Sequence, residues 1–164
     1  MRNFPQSEVE ALAHTTHTTQ TDNAWISVGH KFSKMHTFHE DQVRAFATEA
    51  GDTNPLHHDD AVAAASRYKK LIVSGTHSTA LILGLTASHF SKNYSVVGVS
   101  FSVEFLRPVF ADATVHIAWE VLSADMTRDK VQRVEMRGGL SDAKGQLCVR
   151  ATGVVRLSLP SQSP

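Results

Sequence analysis

The segment "LIVSGTHSTALILGLTASHF", Leu71 to Phe90, constrains this chain more than any other. Ala80, Leu81, Leu83, Gly84, Leu85 and Ala87 leave its second part apolar nearly all round when wound as a helix, and such a helix has to be enclosed. Ser74 or Thr76 can cap its start, where the extended "LIVS" gives way to Gly75.

The C-terminal half of the chain supplies the enclosure. From Val96 the pattern changes to period two with β-branched runs, "VVGVSFSVEFLRPVF", "ATVHIAWEVLSA", "KVQRVEMRGGLSD" and "QLCVRATGVVRLSL", which read as four strands. The punctuation between them ("ADA", "DMTRD", "SDAKG") is short, so neighbours should run antiparallel. Upstream, Trp25 to Phe38 alternates loosely and carries Gly29, which suggests a first strand entered through a turn. In "EDQVRAFATEAGD", Val43, Phe46 and Ala47 recur at helical spacing, Glu40 and Asp41 suit the positive end of a helix, and Gly51 suits its left-handed stop. His39 stands where Ser, Thr, Asp or Asn would cap that helix. Asp59 or Asp60 can cap a second short helix, "AVAAASRY". These elements predict an α+β domain over residues 25–159, with a curved antiparallel sheet wrapped around a long central helix. Residues 1–24 read as a polar, mobile extension and 160–164 as a tail.

Composition narrows the partners. Sixteen basic residues balance sixteen acidic ones, which leaves no electrostatic footprint for nucleic acid or an anionic membrane. The single cysteine, Cys148, lies in an apolar run and reads as a buried thiol in a reducing compartment. No apolar run reaches membrane-spanning length and the start does not resemble a secretory signal, so the expected location is cytoplasmic. His14 and His17 have no accompanying ligand pattern.

The titratable groups concentrate in "GDTNPLHHDD", Gly51 to Asp60. Pro55 fixes its own φ and pushes Asn54 toward extended geometry, so the segment is a rigid turn that can aim Asp52 and His57 at one point. A carboxylate and an imidazole converging there can hold a water, remove one of its protons and deliver another to a substrate. The same two residues could instead be a turn cap and a satisfied polar side chain. His58, Asp59 and Asp60 do not form a metal site, because no separate ligand cluster completes one; His58 reads as exposed and the aspartates as caps. Gly75, at a helix start, can present its N–H to a carbonyl oxygen as an oxyanion hole would, or can serve simply as a turn residue.

Together, "RAFATEAGDTNPLHHDDAVAAASRYKKLIVSGTHSTALI" and the F-x-x-P-V signal at Phe105 to Val109 resemble the MaoC-like hydratases, which include the (R)-specific enoyl-CoA hydratases. The resemblance implies a hotdog fold and a homodimer that hydrates trans-2-enoyl thioesters reversibly to (R)-3-hydroxyacyl thioesters, on acyl-CoA or acyl carrier protein, with no metal or redox cofactor. Asp52 and His57 match the family's catalytic pair, Asn54 the amide that holds the loop, and Gly75 the residue whose N–H receives the thioester carbonyl. Two departures stand out. Ala80 to Leu83 occupy the neighbourhood where some hydratases carry a helix serine, with Ser78 or Thr79 the nearest replacements, and Ala111-Asp112 replaces a Gly-Asp turn. His77 is expected either to meet substrate or to cap backbone groups, and Arg107, with Arg67, Lys69 and Lys70, to meet phosphate or to form a solvated rim. A hotdog thioesterase and a non-catalytic acyl-thioester binding domain are the other readings.

Overall fold

The computed structural model describes residues 25–160. The extension expected over residues 1–24, and the tail beyond Pro160, lie outside these. Five strands, β1 (Lys31–Thr37), β2 (Ser95–Phe105), β3 (Thr114–Met126), β4 (Gln132–Ser141) and β5 (Leu147–Ser158), form one antiparallel sheet in the order β1-β3-β4-β5-β2. Helices α1 (Glu40–Glu49), α2 (Asp60–Ala65) and α3 (Gly75–Phe90) lie between β1 and β2 in the chain. The expected α+β architecture is present, with α3 against the concave sheet.

Alternation builds the core. Val115, Ile117, Trp119 and Val121 of β3 are buried, and Val134, Met136 and Leu140 of β4 and Val149, Ala151, Val155 and Leu157 of β5 join them beneath Ile82 and Phe90 of α3. The one polar atom Trp119 brings inside, its Nε1–H, donates to the Ile82 carbonyl at 3.1 Å and so pins the helix to the sheet. Cys148 is buried, and burial is the leading cause pushing its thiol pKa up.

As expected, the first strand is entered through a turn: Gly29 adopts φ +83°, its N–H bonds the Val121 carbonyl at 2.9 Å, and β1 begins at Lys31. One expectation changes. The central helix is not enclosed on every side: Thr76, Ala80, Gly84 and Ala87 remain exposed in the single chain. A five-stranded sheet covers one face of a helix, and the second apolar face is left open. The edge strand β2 beside it exposes Val97 and Val99 as well.

Gly138 sits opposite Trp119 in the β3–β4 register. A Cβ there would lie 2.2 Å from the Ala118 carbonyl oxygen and 2.7 Å from the Trp119 ring. Gly138→Ala is therefore expected to lower stability by about 1 to 3 kcal/mol through overpacking. Urea unfolding checks this; an unchanged midpoint would show that Trp119 does not press on that backbone.

Candidate active site

Asp52 is placed by the way α1 ends. Gly51 takes φ +71°, its N–H bonds the Thr48 carbonyl at 3.0 Å, and the Asp52 N–H reaches back to the Ala47 carbonyl at 2.8 Å. This double reversal is the Schellman closure, and it fixes the backbone from which the carboxylate projects. Asp52 Oδ1 then accepts the Asn54 N–H at 3.1 Å, while Asn54 Oδ1 accepts the Leu56 N–H at 3.1 Å and caps a 3-10 turn, Pro55–His57. Asn54 thus holds the loop by its side chain.

His58 is not the exposed residue that the sequence suggests. It is half-buried, and its Nε2–H donates to the Asp52 carbonyl at 2.6 Å. Arg44 donates to the His58 carbonyl at 3.1 Å and grips both Asp60 oxygens at 2.8 Å, tying α1 to the turn. Asp59 caps α2 by accepting from the Ala61 and Val62 N–H groups.

The turn delivers His57 inward, where its side chain is 8% exposed against 27% for Asp52. Its Nδ1 lies 2.8 Å from the Ile72 carbonyl, which can only accept, so Nδ1 carries a hydrogen and the neutral ring keeps its lone pair on Nε2. That Nε2 is 3.5 Å from Asp52 Oδ2. Two acceptors so placed suit one water, which gives a hydrogen to each and turns its oxygen lone pair outward.

Gly75 is the first residue of α3, where an N–H has no intrahelical carbonyl to receive it; Ser74 caps the helix through Oγ, which accepts from the His77 N–H at 3.2 Å. A Cβ added at Gly75 would lie 2.9 Å from Cζ of Phe105, an exposed ring that would have to move to admit it. Gly75 and Phe105 each line two cavities. One, of about 320 Å³, is lined by His57, Ile72, Ser78 and Val149 with Arg67 and Arg107. The other, of about 530 Å³, is lined by Asp52, Thr76, Thr79 and Ala80. Asp52 lines the second cavity and His57 the first, and Gly75 lines both.

His77 is not in either lining. Its ring stacks on Phe46 at 4.1 Å, meets Phe38 edge-on at 5.2 Å, and leaves a buried Nδ1 without a hydrogen-bond partner among the described residues. Residues two apart on a helix do not share a face, so a side chain two positions after Gly75 turns toward α1 rather than the cavities. The ring's neighbours are thus aromatic, and it stands outside the lining of both cavities. Arg107 stands at the cavity wall and donates to the Leu147 carbonyl at 2.7 Å, whereas Lys70 is held by Asp112 at 2.8 Å. Sequence reasoning misses the Ile72 carbonyl, which leaves no mark in a side-chain pattern, and the place of Phe105 in both cavity linings, which reads in the sequence only as a strand signal.

This chain belongs to the MaoC-like domain family, whose model matches residues 14–143. It is 30% identical over 130 residues to the (R)-specific enoyl-CoA hydratase of Aeromonas caviae, a match that covers 76% of this chain and 95% of the relative. Among solved structures, the A. caviae (R)-hydratase involved in PHA biosynthesis superimposes with a TM-score of 0.72 at 29% identity, covering 82% of this chain and 98% of the other. An unliganded R-hydratase of Pseudomonas aeruginosa gives 0.69 at 25% identity, covering 85% and 91%.

His36, His77 and His89 are each held below the ordinary imidazole value of 6.5, in every case chiefly by burial, with nearby imidazoles and, for His36 and His89, a lysine adding to it. The unfolded chain therefore binds more protons just below pH 6.5, so their contribution to stability is intact above that value and is lost as pH falls toward the depressed folded values. Asp112 and Glu120, held low mainly by hydrogen bonds from Lys70 and Arg137, act only in more acid solution. Urea unfolding is expected to give a lower stability at mildly acid than at mildly alkaline pH; equal values would contradict the burial of these rings.

Proposed function

We propose that this protein adds water reversibly across the double bond of trans-2-enoyl thioesters, giving (R)-3-hydroxyacyl thioesters. The observation that carries the reading is the 3.5 Å separation of His57 Nε2 and Asp52 Oδ2, with the His57 lone pair facing the carboxylate. A water held by both groups has its oxygen free to bond C3 of the enoyl chain. As that bond forms, the water gives up one proton to the pair, and the pair returns a proton to C2. The carbon–carbon double bond becomes single, and the balance is H on C2 and OH on C3.

Electron density pushed through the conjugated system accumulates on the thioester oxygen. A carbonyl set against the Gly75 N–H is stabilised there, an effect worth roughly 3 kcal/mol per donor. Arg67 and Arg107 give the first cavity a cationic border suited to the phosphates of CoA or of a phosphopantetheine arm. The identity to (R)-specific enoyl-CoA hydratase across 95% of that relative supports the substrate class and the stereochemistry. We further propose a homodimer, because the open face of α3 and the exposed Val97 and Val99 of β2 are apolar surface a second copy would cover.

Mixed with a short trans-2-enoyl-CoA, the purified protein is expected to remove the conjugated enoyl absorbance without releasing thiol. Asp52→Asn and His57→Ala should each lower turnover by about two to four decades, the scale of a positioned acid or base, with the circular dichroism spectrum unchanged. Release of free thiol would identify a thioesterase instead, and near-normal turnover in both variants would remove the assigned roles.

A further inference from the structure

Hydroxyl side chains on these helices commonly turn back to the backbone: Thr48 donates to the Arg44 carbonyl at 2.9 Å, Thr79 to Gly75 at 2.8 Å and Ser88 to Leu85 at 3.2 Å. Ser78 does not. The Ser74 carbonyl one turn back accepts the Ser78 backbone N–H at 3.2 Å, and the Ser78 hydroxyl makes no hydrogen bond to any described residue. The residue is only 2% exposed, so a hydroxyl left unused here is costly unless something else meets it. His77 Nδ1 and Thr86 Oγ1 are sealed in the interior, whereas the Ser78 oxygen keeps an accessible surface. The space it borders is the cavity of about 320 Å³ that Ser78 lines with His57 and Gly75.

Ser78 follows Gly75 by three residues on α3, a spacing that sets the two on one face of the helix. A helical side chain leans toward the N-terminus of its helix, so the Ser78 hydroxyl lies over the turn that Gly75 begins. The Gly75 N–H is free as well, because the Ser74 cap accepts from the His77 N–H and no described carbonyl receives that of Gly75. The first turn of α3 therefore offers this cavity two unspent donors, a backbone N–H and a hydroxyl. His57 does not use the hydroxyl: its Nδ1 is bonded to the Ile72 carbonyl and its Nε2 faces Asp52.

We propose that the Ser78 hydroxyl is a second donor to the thioester oxygen, acting with the Gly75 N–H as a two-donor oxyanion hole. The inference rests on the thioester reading above and adds a catalytic residue to it. A carbonyl oxygen carries two lone pairs and can accept from both groups at once. Its negative charge grows as C3 is attacked, so both hydrogen bonds strengthen in the transition state more than in the bound substrate. The Ser78 proton stays on its oxygen throughout, while His57 and Asp52 handle those of the water.

The test binds butanoyl-CoA and decanoyl-CoA, saturated and so inert to hydration, with and without ¹³C at the carbonyl, and reads the carbonyl stretch by isotope-edited infrared difference spectroscopy. Each hydrogen bond to that oxygen lowers the frequency. The wild type is expected to lower it relative to the free thioester, Ser78→Ala to lose part of the shift, and Asp52→Asn to keep it. Ser78→Cys, whose thiol is a weak donor, should lie between wild type and Ser78→Ala, and it decides the comparison if the alanine variant does not fold. With the matching trans-2-enoyl-CoA, Ser78→Ala is expected to lower kcat about 100-fold with KM little changed. The same frequency in wild type and the Ser78 variants, or no binding of either chain, would overturn the second donor whatever happens to kcat. A Ser78-dependent shift in a protein that hydrates neither enoyl-CoA would keep the donor and overturn the hydratase reading.

Discussion

The hydrogen bond between His57 Nδ1 and the Ile72 carbonyl, 2.8 Å long, joins the proline-stiffened turn to the segment that enters the central helix. Much of the site's geometry depends on it. It keeps the ring in the tautomer whose lone pair faces Asp52, and it fixes the distance between the turn and the start of α3, where Gly75 lies. The opposite partner, Asp52, is set independently by the Schellman closure of α1 and by the bond from His58. A carboxylate fixed by one element and an imidazole fixed by another meet at 3.5 Å, a spacing neither element determines alone. The Arg44 bridge to His58 and Asp60 ties the first of these elements to the turn.

The same helix serves stability and site. Ile82 and Phe90 bury one side of α3 in the sheet, while Gly75, Ser78 and Thr79 bring another to the cavities. Its third, open side is apolar, which is why the sequence asks for more enclosure than one sheet gives. A purely acyl-binding role would have no use for a histidine whose tautomer is fixed against a carboxylate. Hydrolysis would need water directed at the thioester carbonyl carbon, whereas hydration needs it directed at C3.

The sheet is legible in the sequence because period two persists through the four late strands, and α3 because its apolar residues run on past any strand length. Its enclosure is less complete than the sequence suggests: side-chain pattern shows that a helix has no polar face, but not how many layers cover it. The entry to the first strand is legible as well, because Gly29 marks the turn that precedes Lys31. Within the site, Pro55 makes the convergence of Asp52 and His57 readable, and Gly51 announces the end of α1. The tautomer of His57 is not readable, since its partner is a backbone oxygen fifteen residues away. His77 lies away from the cavities because proximity in sequence to Gly75 says nothing of helical phase. Phe105 belongs to a recognisable motif, yet its ring lines the cavities only after β2 has returned alongside α3.

The central claim is that Asp52 and His57 direct one water to carbon rather than to the thioester. Turnover of a trans-2-enoyl-CoA in ¹⁸O-labelled water, followed by mass and chiral analysis of the product, tests it most directly. An intact CoA thioester of (R) configuration with one ¹⁸O on C3 is the expected product; label appearing in the carboxylate of a released acid, or an (S) product, would contradict the claim.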